Sequence, residues 1–276
     1  MLSIRNVFSA PILEGLGAQI GDLLGRYGLM YAKGLLATVV LSLVGTFGGL
    51  FLGVFFAFGK RLRTKGLPWY QKLWRYPIKG FCQLYSLVIR GTPMMVQALL
   101  FKYLCVAAGL NWNDVLRGVD TWNGWMIAGL IVITLNTAAY MCEDILSGLN
   151  GVDRGQTEGA KSLGLSDFKT LIYVTLPQAL RNAIPTIGNE WIVNIKDSSV
   201  LNVIAVSELF YQANMVVNKN YKFLASYLII ALIYLLLTLL ATGFLKLVER
   251  KMDGKKFHLK WTDYFLRPKA LGRKEA

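Results

Sequence analysis

Four long apolar stretches, separated by polar segments, dominate the pattern of residues along the chain. The first covers residues 29–58 with Lys33 as its only charge, and the others cover residues 93–110, 122–148 and 223–247. A helix that crosses a bilayer needs about 20 predominantly apolar residues. Each stretch therefore predicts one membrane-spanning helix.

Residues 170–210 are predicted to supply a fifth crossing, because the chain must pass from the cytoplasmic segment 149–169 to the outside before the last stretch begins. Hydropathy is weak there, since prolines and charged residues interrupt it. These residues include Pro177, Pro185, Glu190, Lys196 and Asp197. We expect a broken or bundle-buried helix, because irregular backbone at membrane depth persists only where protein surrounds it.

Composition and charge support an all-α polytopic membrane protein with the N-terminus outside and the C-terminus in the cytoplasm. Of the 276 residues, 54% are hydrophobic and 17% charged, against about 25% charged in soluble domains, which excludes an ordinary soluble enzyme. Residues 60–90 and 246–276 hold 18 of the 30 Lys and Arg. Because basic residues concentrate on the cytoplasmic side, we expect both segments there. The basic tail should lie against anionic lipid, and no nucleic acid partner is expected.

The polar segments divide the chain into three predicted regions. Residues 1–28 form an extracytoplasmic segment, residues 29–248 the transmembrane domain with its cytoplasmic loop 151–169, and residues 249–276 a basic cytoplasmic tail. Residues 59–90 are predicted to form another cytoplasmic loop.

Two further local signals concern helix starts and helix packing. Thr92 and Pro93 are predicted to begin the second span, with Thr92 as N-cap and Pro93 at the first helical position. Gly45, Gly49 and Gly53 recur at four-residue spacing in the first span. Such small residues allow close helix approach, and we favour packing within the chain over a dimer contact.

The sequence contains no recognisable catalytic constellation. It has no G-x-x-x-x-G-K-[ST] phosphate loop, no H-E-x-x-H and no G-x-S-x-G motif. His258 is the only histidine, and Cys82, Cys105 and Cys142 lie at unrelated apolar positions, so no zinc site is predicted. We expect a chain that is not an enzyme, has no catalytic or metal-binding residue and draws any driving energy from another protein.

The polar loop 151–169 predicts a helix, a bend and a second helix. Asp153 with Gln156 three residues later resembles a capping box, and Gly164 is a residue type that ends helices. Ser166 or Asp167 could then cap a second helix that enters the membrane. This pattern predicts a rigid cytoplasmic knob, with an ordinary inter-span loop as the alternative.

The same region contains an ordered motif. It consists of Glu158-Gly159-Ala160, then Gly164 after three residues, and Val174-Thr175-Leu176-Pro177 after nine more. This resembles the Glu-Ala-Ala, Gly, Ile-x-Leu-Pro signature of the membrane subunits of ABC importers. Further segments make the chain similar to the polar amino acid permease branch, the histidine, glutamine, glutamate and arginine type. They are Lys33 to Thr38, Arg90 to Pro93, Ala139 to Glu143, Gly155-Gln156 and Lys196 to Ser199.

The resemblance covers about residues 30–248 and implies a type I ABC importer fold in the bacterial inner membrane. It implies a second permease chain, identical or different, two cytoplasmic ATPases that bind the ATP and Mg, and an extracytoplasmic amino-acid-binding protein. No cofactor is expected on this chain. The residues implied to couple it to the ATPase are Glu158, Gly159, Ala160, Gly164, Leu176 and Pro177.

Charges inside the predicted spans suggest a substrate pathway. They are Glu143, Asp144, Glu190, Lys196 and Asp197. Ionisable groups at membrane depth are costly and often functional, so they could line a path for an amino acid's ammonium and carboxylate. The alternative is structural: Glu143 and Asp144 would be interfacial, and Lys196 with Asp197 would form a pair near a helix break.

Two departures from the family and one family element bear on specificity and gating. The family often has Ile at the position of Asp144 and Arg at that of Leu146, so the extra acid suggests a cationic substrate. By resemblance, Arg90, Thr92 and Pro93 form a gate or interface element, although a cytoplasmic arginine beside a helix start would look the same.

Two other classes of function compete with the importer subunit. A secondary transporter or channel for small polar solutes should show an internal repeat with paired broken helices, whereas the sequence predicts one broken span. A membrane scaffold without transport would leave charges such as Glu143 and Lys196 unexplained.

Overall fold

The computed structural model describes residues 10–62, 64, 66–110, 112 and 124–252, although not the side chains of residues 10–14. All regular elements in these ranges are helical, which confirms the predicted all-α class. The α-helices are α1 Ala10–Arg61, α2 Trp69–Gly91, α3 Met94–Ala107, α4 Trp125–Asn150, α5 Arg154–Ser162, α6 Asp167–Thr170, α7 Leu176–Asp197, α8 Leu209–Asn220 and α9 Phe223–Met252. A π-helical turn, Leu171–Thr175, joins α6 to α7, and a 3-10 helix, Ser198–Ile204, follows α7.

Helices α1, α4 and α9 are the three single helices in the described chain that are long and apolar enough to cross a membrane. Two bent pairs pass the same test together. Helices α2 and α3 meet at 111°, and the run from α6 to the 3-10 helix meets α8 at 52°. The predicted number of five spans is therefore reached when each bent pair is counted as one crossing.

Helix α2 corrects the prediction of a loop over residues 59–90. Buried and half-buried positions recur along it every three to four residues, at Lys72, Arg75, Lys79, Cys82 and Ser86. This is the spacing of one face of an amphipathic helix. A search for continuous apolar runs does not detect such a face, and Pro77 inside the helix further obscured it.

The start of α3 also differs from the prediction. Pro93, with ψ of 137°, occupies the N-cap position, and α3 begins at Met94. Thr92 does not cap α3, because its hydroxyl donates to the Val88 carbonyl at 2.9 Å in the last turn of α2. A threonine hydroxyl can bond backward in this way as readily as it caps forward. With 14 residues and a length of about 21 Å, α3 is too short to cross a bilayer alone.

Helix α1 begins at Ala10, so residues 10–28 of the predicted N-terminal segment are helical. Leu23 is fully buried in a cluster with Leu209 of α8 and Ile229 of α9. The Asp22 carboxylate forms a 2.8 Å ion pair with Lys222, the residue just before α9. The 52 residues of α1 extend over about 78 Å, so only part of the helix can lie within a bilayer.

The broken helix predicted within residues 170–210 is confirmed. The 3-10 helix tightens the chain after α7, and Ala205 ends it in the left-handed region with φ of +64°. Alanine in this region is strained by about 1 kcal/mol, so the break is a defined corner rather than a frayed end. Helix α8 then begins after Glu208.

The glycine face of α1 packs against α4. A Cβ added at Gly49 would lie 2.7 Å from the Thr137 Cβ, and one added at Gly53 would lie 2.6 Å from the Met141 Cβ. These are distances that real Cβ atoms do not reach, so the two backbones touch. The prediction that this face packs within the chain is confirmed.

We predict that Gly53→Ala destabilises the protein. The added methyl group meets the Met141 Cβ and, at 3.0 Å, the Cys142 nitrogen, and overpacking of this kind costs about 1–3 kcal/mol. Gly28→Ala is the matched control, since no atom lies within 4 Å of its added Cβ. Thermal unfolding in detergent should show a lower midpoint for Gly53→Ala alone. Equal midpoints for the two variants would contradict close packing of α1 on α4.

Candidate functional site

Glu143 of α4 gathers three donors from two other helices. Its Oε1 pairs with the Nζ of Lys60 at the end of α1 and accepts a 2.9 Å hydrogen bond from the Ser86 hydroxyl of α2. The Arg90 guanidinium, also on α2, lies 3.5 Å away. We call these four residues the Glu143 cluster. It joins a predicted pathway residue to a predicted gate residue, and the sequence pattern did not single out Lys60 or Ser86.

The Glu143 cluster forms because α2 passes across the ends of α1 and α4. Cys82 packs with Ala57 and Cys142 in one buried group, and the Phe56 and Tyr85 rings stack with centroids 4.2 Å apart. This packing brings Lys60 and the last turns of α2 to the same carboxylate. Glu143 thus provides the counter-charge for both Lys60 and Arg90, and removing its charge would leave two cations close together.

The other predicted pathway residues do not join this cluster. Asp144 is its neighbour in sequence, but the buried Oδ2 atom of Asp144 has no hydrogen-bond partner within the described residues. Glu190 and Asp197 are half-buried on α7, whereas Lys196 is exposed.

Lys196 and Asp197 interact electrostatically, but no ion pair joins them within the described residues. Adjacent helix residues point about 100° apart, so a pair between them is geometrically disfavoured. Glu190 and Asp197, seven residues apart, instead share one face of α7.

A buried polar triad ties α1, α4 and α7 together. The Asn194 side chain donates to the Thr46 hydroxyl at 2.9 Å and accepts from the Thr137 hydroxyl at 3.0 Å. Thr46 in turn donates to the Ser42 carbonyl at 2.7 Å. Sequence reasoning missed this triad, because it looked for charges and three neutral polar residues far apart in sequence give no local signal.

Glu208 is fully buried at the corner that begins α8. Its carboxylate accepts hydrogen bonds from the Phe210 and Tyr211 backbone nitrogens at 2.8 and 2.7 Å, and from the Tyr234 hydroxyl of α9 at 2.8 Å. A carboxylate at a helix N-terminus satisfies unpaired N–H groups and interacts favourably with the helix dipole. Glu208 was also missed; its position directly before an apolar helical run was the available signal.

Gln97 of α3 holds the bend between α2 and α3. Its side-chain nitrogen donates to the carbonyls of Ile89 and Thr92 at 2.7 and 2.9 Å. Its side-chain oxygen accepts from Asn136 of α4 at 3.0 Å. The segment with Arg90, Thr92 and Pro93 is therefore a corner that Gln97 joins to α4 through hydrogen bonds in this conformation.

Residues 151–169, which we call the coupling segment, adopt the predicted helix, bend and helix. The Asp153 side chain accepts from the Gly155 nitrogen at 2.6 Å and caps α5, and Ser166 caps α6. Gly164 has φ of +82°, and the two hydrogen bonds around it form a Schellman motif. Lys161 of α5 forms a 2.7 Å ion pair with Asp167 of α6, so a side-chain contact also joins the two helices across the bend.

The coupling segment presents an exposed surface with apolar side chains. Leu163 is 86% exposed and Phe168 is 73% exposed, and Glu158 and Gly159 are also exposed, whereas Ala160 is buried. The predicted coupling residues within this segment are therefore exposed, except for the buried Ala160.

Leu176 and Pro177 begin α7, directly after the π-helical turn that follows α6. Pro177 lacks the N–H that would continue the helical ladder, and its ring crowds the carbonyl four residues earlier. The π-helical turn directly before it accommodates this defect.

The two helices that flank the coupling segment touch each other. A Cβ added at Gly148 near the end of α4 would lie 2.5 Å from the Ala179 carbonyl oxygen of α7 and 3.0 Å from the Ala183 Cβ. The segment is therefore attached at both ends to one rigid contact.

Comparison with known proteins identifies relatives of the whole membrane domain. Residues 49–254 match the family described as binding-protein-dependent transport system inner membrane component. The chain is 33% identical over 220 residues to the glutamine transport system permease protein GlnP of Escherichia coli (strain K12), covering 80% of this chain and 91% of that protein. It is 29% identical over 224 residues to the probable glutamine ABC transporter permease protein GlnM of Bacillus subtilis (strain 168), covering 81% and 94%.

Solved structures agree with these matches, and together they confirm the resemblance stated from the sequence. A chain in the crystal structure of an amino acid ABC transporter with histidines superposes with a TM-score of 0.71 at 33% identity, covering 83% of this chain and 96% of that chain. A chain of the inward-facing MetNI methionine ABC transporter has a TM-score of 0.63 at 14% identity, covering 81% and 96%. The second match supports the fold alone.

We predict that Lys60 and Glu143 are energetically coupled. Glu143→Gln should lower the unfolding midpoint, because Lys60, whose side chain is 13% exposed, and Arg90 lose their shared counter-charge. A double-mutant cycle with Lys60→Gln should give a coupling of about 0.5–3 kcal/mol. Asp144→Asn, which removes an adjacent charge without an ion pair in the described chain, is the control. Strictly additive losses for the pair would contradict the prediction.

Proposed function

The chain belongs to the family of binding-protein-dependent transport system inner membrane components, and we propose that it is the permease subunit of an ATP-driven importer of polar amino acids. Relatives named as amino acid ABC transporter permeases align with four fifths of the chain. The chain forms the membrane pathway and is not itself an enzyme. ATP and Mg would bind to a separate ATPase.

The observation that carries this proposal is the coupling segment. It is an exposed knob with apolar side chains, closed by the Gly164 bend and the Lys161–Asp167 ion pair. An apolar surface of this kind on a polar segment suits a protein partner. In the proposed complex, Glu158, Gly159 and Gly164 face a groove on the ATPase, and Ala160, Leu176 and Pro177 support them.

The proposed topology has five crossings in the bacterial inner membrane. The N-terminus lies outside and the C-terminus lies in the cytoplasm, with α2–α3 and α7–α8 each counted as one bent crossing. The basic residues that precede α2 and the basic tail then lie on the side where such residues concentrate. A second permease chain, two ATPases and an extracytoplasmic amino-acid-binding protein complete the assembly, and membrane lipids surround it.

Gating is proposed to involve the corner between α2 and α3. Arg90, Thr92 and Pro93 lie at this corner, and Arg90 reaches the Glu143 cluster. Alternating access by rigid-body movement needs contacts that exist in one state and not in another. An ion cluster shared by α1, α2 and α4 is suited to this, because opening it separates charges that then become hydrated.

The substrate pathway is proposed to pass the acidic residues that have no ion-pair partner in the described chain, namely Asp144, Glu190 and Asp197. Half-buried carboxylates that are not held in an ion pair are available to a substrate's ammonium group. Lys196, exposed beside them, would face its carboxylate. Glu143 is already engaged by three donors, so its proposed part is to position this region.

We predict that docking of the ATPase depends on the Gly164 bend. Gly164→Val places a β-branched residue at φ of +82°, where the backbone strain is about 1–3 kcal/mol. Because this strain disfavours the native bend, docking of the ATPase should weaken roughly tenfold. Gly159→Ala is the control, because the Glu-Ala-Ala signature has alanine at this position and Gly159 is helical with open space around it. Purification of the chain from native membranes in mild detergent should retain ATPase in wild type and Gly159→Ala but lose it in Gly164→Val.

Two outcomes of this purification would count against the proposal. Equal ATPase retention by both variants would contradict docking at the coupling segment. A folded wild-type chain that retains no ATPase would instead favour a secondary transporter or channel.

We also predict that Asp144 favours a cationic substrate. Arginine should compete with uptake more strongly than glutamate, and Asp144→Ile, with the residue that relatives often have, should reduce this preference. One partly hydrated charge pair is worth up to about 1 kcal/mol, or roughly fivefold. Glu249→Gln is the control, because Glu249 is an acidic residue on a different helix, α9. Because the binding protein is the same in each assay, an unchanged preference in Asp144→Ile would reject the role of Asp144.

A further inference from the structure

A cleft of about 480 Å³ lies between the C-terminal end of α1 and the coupling segment. The end of α1 contributes Phe58, Arg61 and Leu62 to its walls, and α5 contributes Lys161. Thr170 lines it where α6 meets the π-helical turn. The cleft is separate from the Glu143 cluster and from the acidic residues of the proposed pathway.

Thr170 is the first indication that the cleft binds a ligand. It is 2% exposed, and its hydroxyl has no hydrogen-bond partner within the part of the chain that the structure describes. Buried polar groups are nearly always hydrogen-bonded, so an orphaned hydroxyl in the wall of a cleft suggests an acceptor within that cleft. Thr157 and Thr175 also line it.

The charges of the cleft favour an anion. The described lining residues include two cationic side chains, Arg61 and Lys161, and one carboxylate, Asp167, so cations are in excess, and the guanidinium of Arg61 is exposed. Arginine presents a planar array of donors that matches the oxygens of a phosphate group. A hydroxyl donor and a guanidinium together form a suitable phosphate site.

The remaining walls are apolar. Phe58, Leu62 and Leu171 line the same cleft, and α1 is one of the helices long and apolar enough to cross the membrane. Inorganic phosphate would leave these side chains without a partner, whereas a phospholipid places hydrocarbon directly beside its phosphate. We propose that the cleft binds an anionic phospholipid, with Thr170 and Arg61 holding the phosphate and the apolar walls packing the adjoining hydrocarbon.

Such a lipid would brace the coupling segment against α1. The site does not depend on the proposed transport activity, so the two proposals can fail independently. Lipid binding is also distinct from attraction of a basic surface to the membrane, because it depends on a buried hydroxyl.

Native mass spectrometry of the full chain in detergent, titrated with phosphatidylglycerol, tests this site. Arg61→Gln and Thr170→Val should each weaken the binding, by roughly tenfold for the loss of a hydrogen bond to a charged group. Thr170→Ser keeps the hydroxyl and should bind as wild type does. Lys169→Gln is the matched control, since it removes an exposed cation of the same segment that does not line the cleft.

Three results would overturn the proposal. Unchanged phosphatidylglycerol binding by Thr170→Val would exclude the buried hydroxyl. Equal losses in Lys169→Gln and Arg61→Gln would indicate general surface charge. Displacement of the lipid by inorganic phosphate, or equal binding of phosphatidylcholine, would show that the site does not select an anionic lipid.

Discussion

Two corners in the helical framework impose the main constraint on this structure. Where a helix breaks within the bundle, its backbone groups lose their intrahelical partners and must be satisfied by protein. At the first corner the Gln97 side chain donates to two backbone carbonyls, and at the second Glu208 accepts from two backbone nitrogens. Asn136 and Tyr234 hold these two side chains from neighbouring helices. Each corner therefore exists only because another helix completes it, which fixes the arrangement of the bundle.

Close contact between α1 and α4 makes this arrangement geometrically feasible. Gly49 and Gly53 bring the two backbones together, so the short side chains of Thr46 and Thr137 both reach Asn194 of α7. A larger residue on this face would separate the helices and leave the amide of Asn194 unsatisfied in the core. Packing of small residues and hydrogen bonding of buried polar groups are thus two aspects of the same contact.

The sequence predicted features that depend on neighbouring residues and missed those that depend on distant ones. Helix caps at Asp153 and Ser166 and the bend at Gly164 are local, and the structure has all three. Helix α2 was missed because its face is amphipathic, and Thr92 bonds backward because the chain turns at Pro93. The Glu143 cluster and the buried Glu208 depend on helix packing.

The structure also has two bent pairs where one broken span was expected. A broken helix therefore does not by itself distinguish a carrier from an importer subunit, whereas the family match does.

The contacts of α4 and α7 explain how a force on the coupling segment could reach the proposed pathway. The segment is stiff, because Gly164 closes its bend and Lys161 pairs with Asp167, and its flanking helices touch at Gly148. Force applied there must move α4 and α7 together. Helix α4 carries Glu143 five residues before this contact, and α7 carries Asn194 beyond it. A rigid displacement would therefore act on the ion cluster and the polar triad at once. The ion cluster is partly exposed, so water can hydrate its charges when the cluster opens. The triad is buried, so its polar groups would find no water if it opened. Movement should accordingly separate α2 from α4 while α1, α4 and α7 remain one body.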